Sequence, residues 1–132
     1  RPQPRSRGLG DVYKRQVEYL ASGVPDWVFF ATNKSSLTTA SRATLRKQAT
    51  YLRKNKNLNV TIEGHADERG TREYNLALGE RRANAARDYL MTYGISGKRI
   101  SVISYGKEKP VNPASTPLAW SQNRRSVTVK VN

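Results

Sequence analysis

The hydrophobic period of this chain switches back and forth between two and 3.6 residues. That alternation limits the available folds more than any other feature. Trp27-Val28-Phe29-Phe30 is an aromatic and β-branched run behind the turn signal Val24-Pro25-Asp26, so a strand is expected there. Asn33–Ser36 breaks it. Ala43, Leu45, Ala49 and Leu52 then recur at helical spacing behind an N-cap at Thr38 or Thr39, and Asn55–Asn57 ends that helix. Leu58, Val60 and Ile62 alternate through a half-buried strand, Leu58–Glu63. A polar loop, 64–71, feeds a long helix over Glu73–Tyr93, with Gly94 at its C′ position. A third strand is expected at Arg99–Tyr105, an irregular stretch at Lys107–Pro117 and a helical turn at Leu118–Asn123. A last strand follows at Ser126–Val131, alternating Val127, Val129 and Val131. The order β-α-β-α-β-β implies an α/β chain, an α+β two-layer sandwich whose mixed sheet carries both helices on one face.

Charge is the second constraint. The 132 residues carry 24 Lys and Arg against 10 Asp and Glu, a net +14. Such a balance points to a polyanion: nucleic acid, an anionic membrane face or an acidic polymer. Part of it is expected not to be native. The Ser6–Gln16 stretch, SRGLGDVYKRQ, reads as one frame of a transposon adaptor used in sequencing libraries. Residues 1–16 are therefore expected to be adaptor translation with a non-native tail, 17–25 a lead-in and 26–132 the domain. Val17–Asn132 keeps 19 Lys and Arg against 9 acids, a net +10. On this reading any native leader or lipid-bearing cysteine lies upstream and is missing. The chain has no cysteine, which excludes disulfides, thiolate metal sites and a cysteine nucleophile within it.

The chemistry gathers in Thr61–Leu90, TIEGHADERGTREYNLALGERRANAARDYL. Its loop lies at the C-terminal end of a strand and runs into a helix N-terminus, a place with free backbone N–H groups and a dipole that favours anions. Asn75 and Arg82 are seven residues apart, two turns on one helix face. Asp67, in the loop, can reach back over that face. A carboxylate and a guanidinium presented together suit a zwitterion, one taking an ammonium and the other a carboxylate bidentately.

The sequence GHADERGTREYNLALGERRANAARDYL resembles the core of the OmpA-like peptidoglycan-binding domain family. SYGKEKP (Ser104–Pro110) and QNRRSV (Gln122–Val127) agree with it in order and spacing, and the resemblance runs from about Trp27 to Val131. It implies a non-catalytic domain, without cofactor or metal, that binds the meso-diaminopimelate of the peptidoglycan stem peptide. Asp67 is then expected to hold the ligand's amine and Arg82 its carboxylate. Arg69, Asn75 and Leu78 match further lining positions, and the backbone amides of Thr32 and Asn33 complete the pocket. The family context also implies an outer-membrane lipid anchor on the periplasmic side of a Gram-negative envelope. A TolB-like periplasmic protein is the implied partner, with a role in envelope integrity and cell division. One stretch departs from the family: the acidic pattern F-D-F-D-K is here Phe30-Ala31-Thr32-Asn33-Lys34. If the acids serve as backbone donors, Ala31 and Asn33 keep that role, and Asn tolerates tight turn geometry. If their carboxylates matter, ammonium recognition rests more on Asp67. The first reading is favoured.

Plainer roles compete. Asp67 could cap a turn or pair with Arg82, and Arg82 and Arg69 could be solvated charges. Asn75 could order the helix start. His65, the only histidine, lacks a second ligand and is expected to be structural. Glu63, Asp67 and Glu68 sit too close on one loop for paired-carboxylate glycosidase chemistry. Arg124 and Arg125 are expected to pair structurally. A nucleic-acid binder would interleave exposed aromatics with its basic residues, and here the aromatics fall in one strand and at helix ends. The alternative within the resemblance is the OmpA-like domain of another envelope or stator protein. Alanine at Asp67 or Arg82 is expected to weaken ligand binding at least ~30-fold while the domain stays folded.

Overall fold

The structure, a computed structural model, describes residues 25–131. The adaptor-like segment and nearly all of the lead-in lie outside them. Eight elements follow in order: β1 (Trp27–Phe29), α1 (Thr39–Lys54), β2 (Val60–His65), α2 (Arg72–Thr92), a 3₁₀ turn (Gly97–Arg99), β3 (Ile100–Gly106), α3 (Pro117–Asn123) and β4 (Arg125–Lys130). The sheet order is β1-β4-β2-β3. β4 lies antiparallel between β1 and β2, and β3 runs parallel to β2. The β2-α2-β3 unit is a parallel crossover, which needs a helix of this length on one face.

Local chemistry places each helix. Thr38 caps α1 and Thr71 caps α2, each threonine oxygen accepting an amide proton three residues on. Asn55 ends α1, and Gly94, at φ 89°, follows the last turn of α2. Leu45, Ala49 and Leu52 from α1 and Ala83, Ala86 and Leu90 from α2 meet Val28, Val60, Ile62 and Ile100 in one core. Both helices therefore cover the same sheet face, as the element order implied.

The bounds of all four strands differ from the sequence reading. β1 stops at Phe29, because the Phe30 amide already bonds the Arg124 carbonyl beyond the β4 start. Gly64 and His65 belong to β2 rather than to the loop, since Gly64 pairs with both Ser126 and Ser104. The strands at 99–105 and 126–131 are each displaced by one residue. Within β4 the apolar alternation faces away from the helices. Val127 pairs with Trp27 and Glu63, whereas Ser126, Thr128 and Lys130 share the face of Val28 and Ile62. The core accepts these polar groups because they are engaged: the Thr128 hydroxyl donates to Gln48 Oε1 at 2.8 Å, and the Lys130 ammonium lies 5.1 Å from the Tyr51 ring centre. Burial, reinforced by the charge of Arg99, pushes the Lys130 ammonium down to about 7.

Helix and sheet meet backbone to backbone at two glycines. A Cβ on Gly64 would sit within bonding range of the Gly79 carbonyl oxygen, and one on Gly79 would collide with Ser104 Oγ and the Gly64 backbone. This contact seats α2 directly on β2 and fixes the height of the helix above the site. Replacing Gly64 with Ala forces the two backbones apart, at a cost of about 2–3 kcal/mol or more. A thermal melt should show Tm lowered by on the order of 10 °C. An unchanged Tm would mean that this approach does not set the packing.

Candidate functional site

A surface cleft of about 300 Å³ opens where the 31–34 turn, the loop after β2 and the first turns of α2 converge. Its lining includes Thr32, Asn33, Asp67, Arg69, Asn75, Leu78 and Arg82, all seven residues singled out from the sequence, together with Gly70 and Tyr74. The two extra residues follow from geometry that spacing alone does not give. Gly70, at φ 97°, turns the loop towards α2, and Tyr74 stands on the rim.

Arg82 departs most from a solvated helix charge. It is wholly buried. Its Nε donates to the Lys34 carbonyl at 2.8 Å, Nη1 to that of His65 at 2.9 Å and Nη2 to that of Ala31 at 3.1 Å. A guanidinium has five N–H donors, so one on each terminal nitrogen is left over after these three bonds. Among the described residues it pairs with no carboxylate. Burial and then the charge of Arg124 push its pKa down to about 10, which still leaves it cationic at neutral pH. The result is a desolvated positive charge on the cleft wall, hydrogen-bonded to carbonyls and with no carboxylate in direct contact among the described residues.

Asp67 pairs elsewhere than expected. Its Oδ1 accepts from the Arg69 amide (3.0 Å) and Nε (3.2 Å), and its Oδ2 from Arg69 Nη2 (2.8 Å) and Arg124 Nη1 (3.4 Å). Burial works to raise its pKa, but the hydrogen bonds from Arg69 and Arg124 outweigh it and hold the carboxyl below its ordinary value. Arg124, expected to be purely structural, is thus part of the site. It reaches Asp67 and the Phe30 carbonyl because β4 lies between β1 and β2, an adjacency that a one-dimensional motif does not reveal. Arg125 faces the opposite side of the sheet, over Trp27.

The loop is latched from outside. The Arg69 guanidinium lies 4.2 Å from the Trp120 ring centre and donates to Thr32 Oγ1. Trp120 Nε1 and Ser115 Oγ donate to Glu68, and Lys107 Nζ donates to the Gly70 carbonyl at 2.6 Å. Asn75 has the plainer role as well as the lining one, since its Nδ2 donates to the Arg69 and Thr71 carbonyls and shapes the loop. Asn33 takes φ 56°, the left-handed conformation that asparagine tolerates, in a turn closed by the Lys34 amide on the Ala31 carbonyl. The closing bond uses neither the Thr32 nor the Asn33 amide. His65 turns its ring to the other sheet face, stacks on Tyr105 at 5.5 Å and contacts Glu63 Oε1 at 3.2 Å. The described residues hold no group of three potential metal ligands and no helix long and apolar enough to cross a membrane.

Fold and cleft together define a class. The OmpA family model matches residues 29–124, and the chain belongs to the OmpA family, a family of structural, non-catalytic domains. Within that family it is similar to the peptidoglycan-associated lipoproteins. The one from Rhizobium meliloti (strain 1021) is 58% identical over 122 residues, covering 92% of this chain and 69% of that protein. The one from Brucella melitensis biotype 1 is 52% identical over the same length, 92% of this chain and 73% of that protein. The crystal structure of the peptidoglycan-associated lipoprotein from Burkholderia pseudomallei superposes with a TM-score of 0.78 at 39% identity, covering 80% of this chain and 90% of that one. The C-terminal domain of Helicobacter pylori MotB shares the fold, with a TM-score of 0.76 at 19% identity over 82% of this chain and 85% of that one.

Two outcomes follow. Arg82→Ala removes the donor shared by three carbonyls of two segments, the 31–34 turn and the end of β2, so this variant is expected to lose stability as well as binding. Leaving a buried acceptor without its donor costs about 1–3 kcal/mol, and chemical denaturation should show a loss of at least that order. Burial depresses the His65 pKa more than Glu63 restores it. The unfolded chain therefore takes up the proton first, and stability falls as pH drops below about 6.5. Melts between about pH 7.5 and pH 5 should show that decline, flattened in His65→Gln.

Proposed function

We propose that this domain binds peptidoglycan without catalysis, seating the zwitterionic end of a meso-diaminopimelate side chain in the cleft. One observation carries the reading: an ionised carboxylate and a desolvated guanidinium without a carboxylate partner line the same small cleft, beside two turn amides. The ligand carboxylate would take the two remaining Arg82 N–H groups and the Thr32 and Asn33 amides. Its ammonium would take Asp67. The ligand stem would lie against Leu78 and Tyr74. All four donors now on Asp67 come from Arg69 and Arg124, so the ammonium must replace one of them. Arg69, whose side chain is 41% exposed, is the one placed to yield.

The departure at residues 30–34 fits this reading. With Asn33 at positive φ, the turn presents its amides without the two acids of the family pattern. The ammonium then depends on Asp67 alone. Similarity to proteins named peptidoglycan-associated lipoproteins supports a tether between outer membrane and cell wall. In that setting the protein is lipid-anchored on the periplasmic side of the outer membrane of a Gram-negative bacterium. It would work within the Tol–Pal system, with a TolB-like protein as partner, in envelope integrity and cell division. One gripped side chain gives modest affinity, and a polymer with many copies adds retention through effective concentration.

Asp67→Asn keeps the size of the side chain and removes the charge. Truncating a desolvated charge pair costs about 2–5 kcal/mol, so binding to purified sacculi should weaken at least ~30-fold in a protein that still melts cooperatively. Free meso-diaminopimelate should displace the wild-type domain from sacculi. Undiminished binding by the folded variant, or no displacement, would defeat the proposal.

A further inference from the structure

The positive charge of the domain is unevenly spread. Residues 27–62 contain Lys34, Arg42, Arg46, Lys47, Arg53, Lys54 and Lys56 and no Asp or Glu. All of these except Arg42 are exposed. None forms an ion pair among the described residues. Arg46 donates to the Tyr89 hydroxyl at 3.0 Å and Arg53 to the Tyr93 carbonyl at 2.7 Å, contacts that aim the guanidinium groups without neutralising them.

Helix geometry orders these cations. At about 100° per residue, Arg42, Arg46 and Arg53 form one row along α1 and Lys47 and Lys54 form a second, about 100° round the axis. The small side chains of Ala43 and Thr50 lie between the rows, and the buried stripe of Leu45, Gln48, Ala49 and Leu52 faces the other way. The rows extend about 18 Å at 1.5 Å per residue. They begin near the cleft, because Lys34 follows cleft-lining Asn33 and Thr38 caps α1 four residues later.

Two anionic surfaces fit poorly. A bilayer-binding helix needs an apolar wedge, and the exposed large apolar side chains of this domain, such as Phe29, Ile103 and Leu118, lie off α1. A single-stranded nucleic acid needs exposed aromatic platforms, and the one aromatic residue of α1, Tyr51, is half-buried and stands by Lys130. Two parallel rows of cations over a smooth floor suit a flexible polymer with carboxylates spaced along it.

We infer that the basic face of α1 is a second docking surface for the same wall polymer, holding free carboxylates of neighbouring peptide stems while the cleft grips one diaminopimelate. The inference rests on the peptidoglycan reading of the cleft. The cleft supplies selectivity; the α1 face supplies salt-sensitive retention and guides the polymer towards the rim.

The test is Lys47→Glu/Lys54→Glu/Lys56→Glu in the full chain, since all three side chains are exposed and none forms an ion pair among the described residues. At about 50 mM salt the triple variant should bind sacculi at least ~10-fold more weakly than wild type, and the gap should close to within about twofold near 500 mM, where screening is strong. Calorimetry with free meso-diaminopimelate should give the same affinity for both proteins. Equal sacculus binding at low salt would overturn the inference. So would a larger loss on phosphatidylglycerol vesicles than on sacculi, which would assign the face to a membrane. If neither protein binds free diaminopimelate while the salt-dependent difference on sacculi persists, the cleft reading fails and the α1 surface stands.

Discussion

One buried guanidinium holds the recognition end of this domain together. Arg82 ties the turn after β1, through Ala31 and Lys34, to the end of β2, through His65, from a helix that sits between them. These are the segments that carry the turn amides and Asp67. A desolvated arginine without a carboxylate costs free energy in the unliganded domain, and the carbonyl dipoles offset only part of it. The same residue is therefore a structural rivet and an unfilled electrostatic demand. That demand is what makes a ligand carboxylate the natural occupant of the cleft.

The rivet works because α2 lies unusually close to β2. Gly64 and Gly79 remove every side-chain atom from that contact, and Ser104 Oγ fills the remaining space while donating to the Leu76 carbonyl. Small side chains in the sheet and helix thus determine where a large charged one ends up. On the other side of Asp67, Arg69 and Arg124 keep the carboxylate ionised while leaving an exposed arm that can give way. Asp67 is presented charged and already polarised, so a ligand ammonium exchanges partners there instead of ionising a neutral acid.

Much of this was legible in the residues. The alternation of periods led to the element order, and the family resemblance led from the loop-helix motif to Asp67, Arg69, Asn75, Leu78 and Arg82 and from the turn after the first strand to Thr32 and Asn33, seven of the residues that line the cleft. What stayed hidden depends on which strands become neighbours. β4 enters the sheet between β1 and β2, and nothing in Arg125–Lys130 announces that. Its alternating valines do not say which face meets the core, and Ser126, Thr128 and Lys130 occupy that face, because Gln48 and Tyr51 of α1 supply polar and aromatic partners there. The same insertion carries Arg124 to Asp67. The depth of Arg82 was equally invisible, since helical spacing gives its direction but not the closeness allowed by two distant glycines. Net charge misled only in its emphasis: it suggested a polyanion, whereas the selective chemistry rests on a few groups at one cleft.

The central claim is that Asp67, Arg82 and the turn amides together form a zwitterion site. Titrating the ¹⁵N-labelled domain with meso-diaminopimelate tests it most directly. The account predicts saturable shifts confined to the amides of Thr32, Asn33 and the 67–70 loop and to the Arg82 side-chain N–H groups, with the rest of the spectrum unmoved. Shifts centred on α1, or none at concentrations that displace the domain from sacculi, would contradict it.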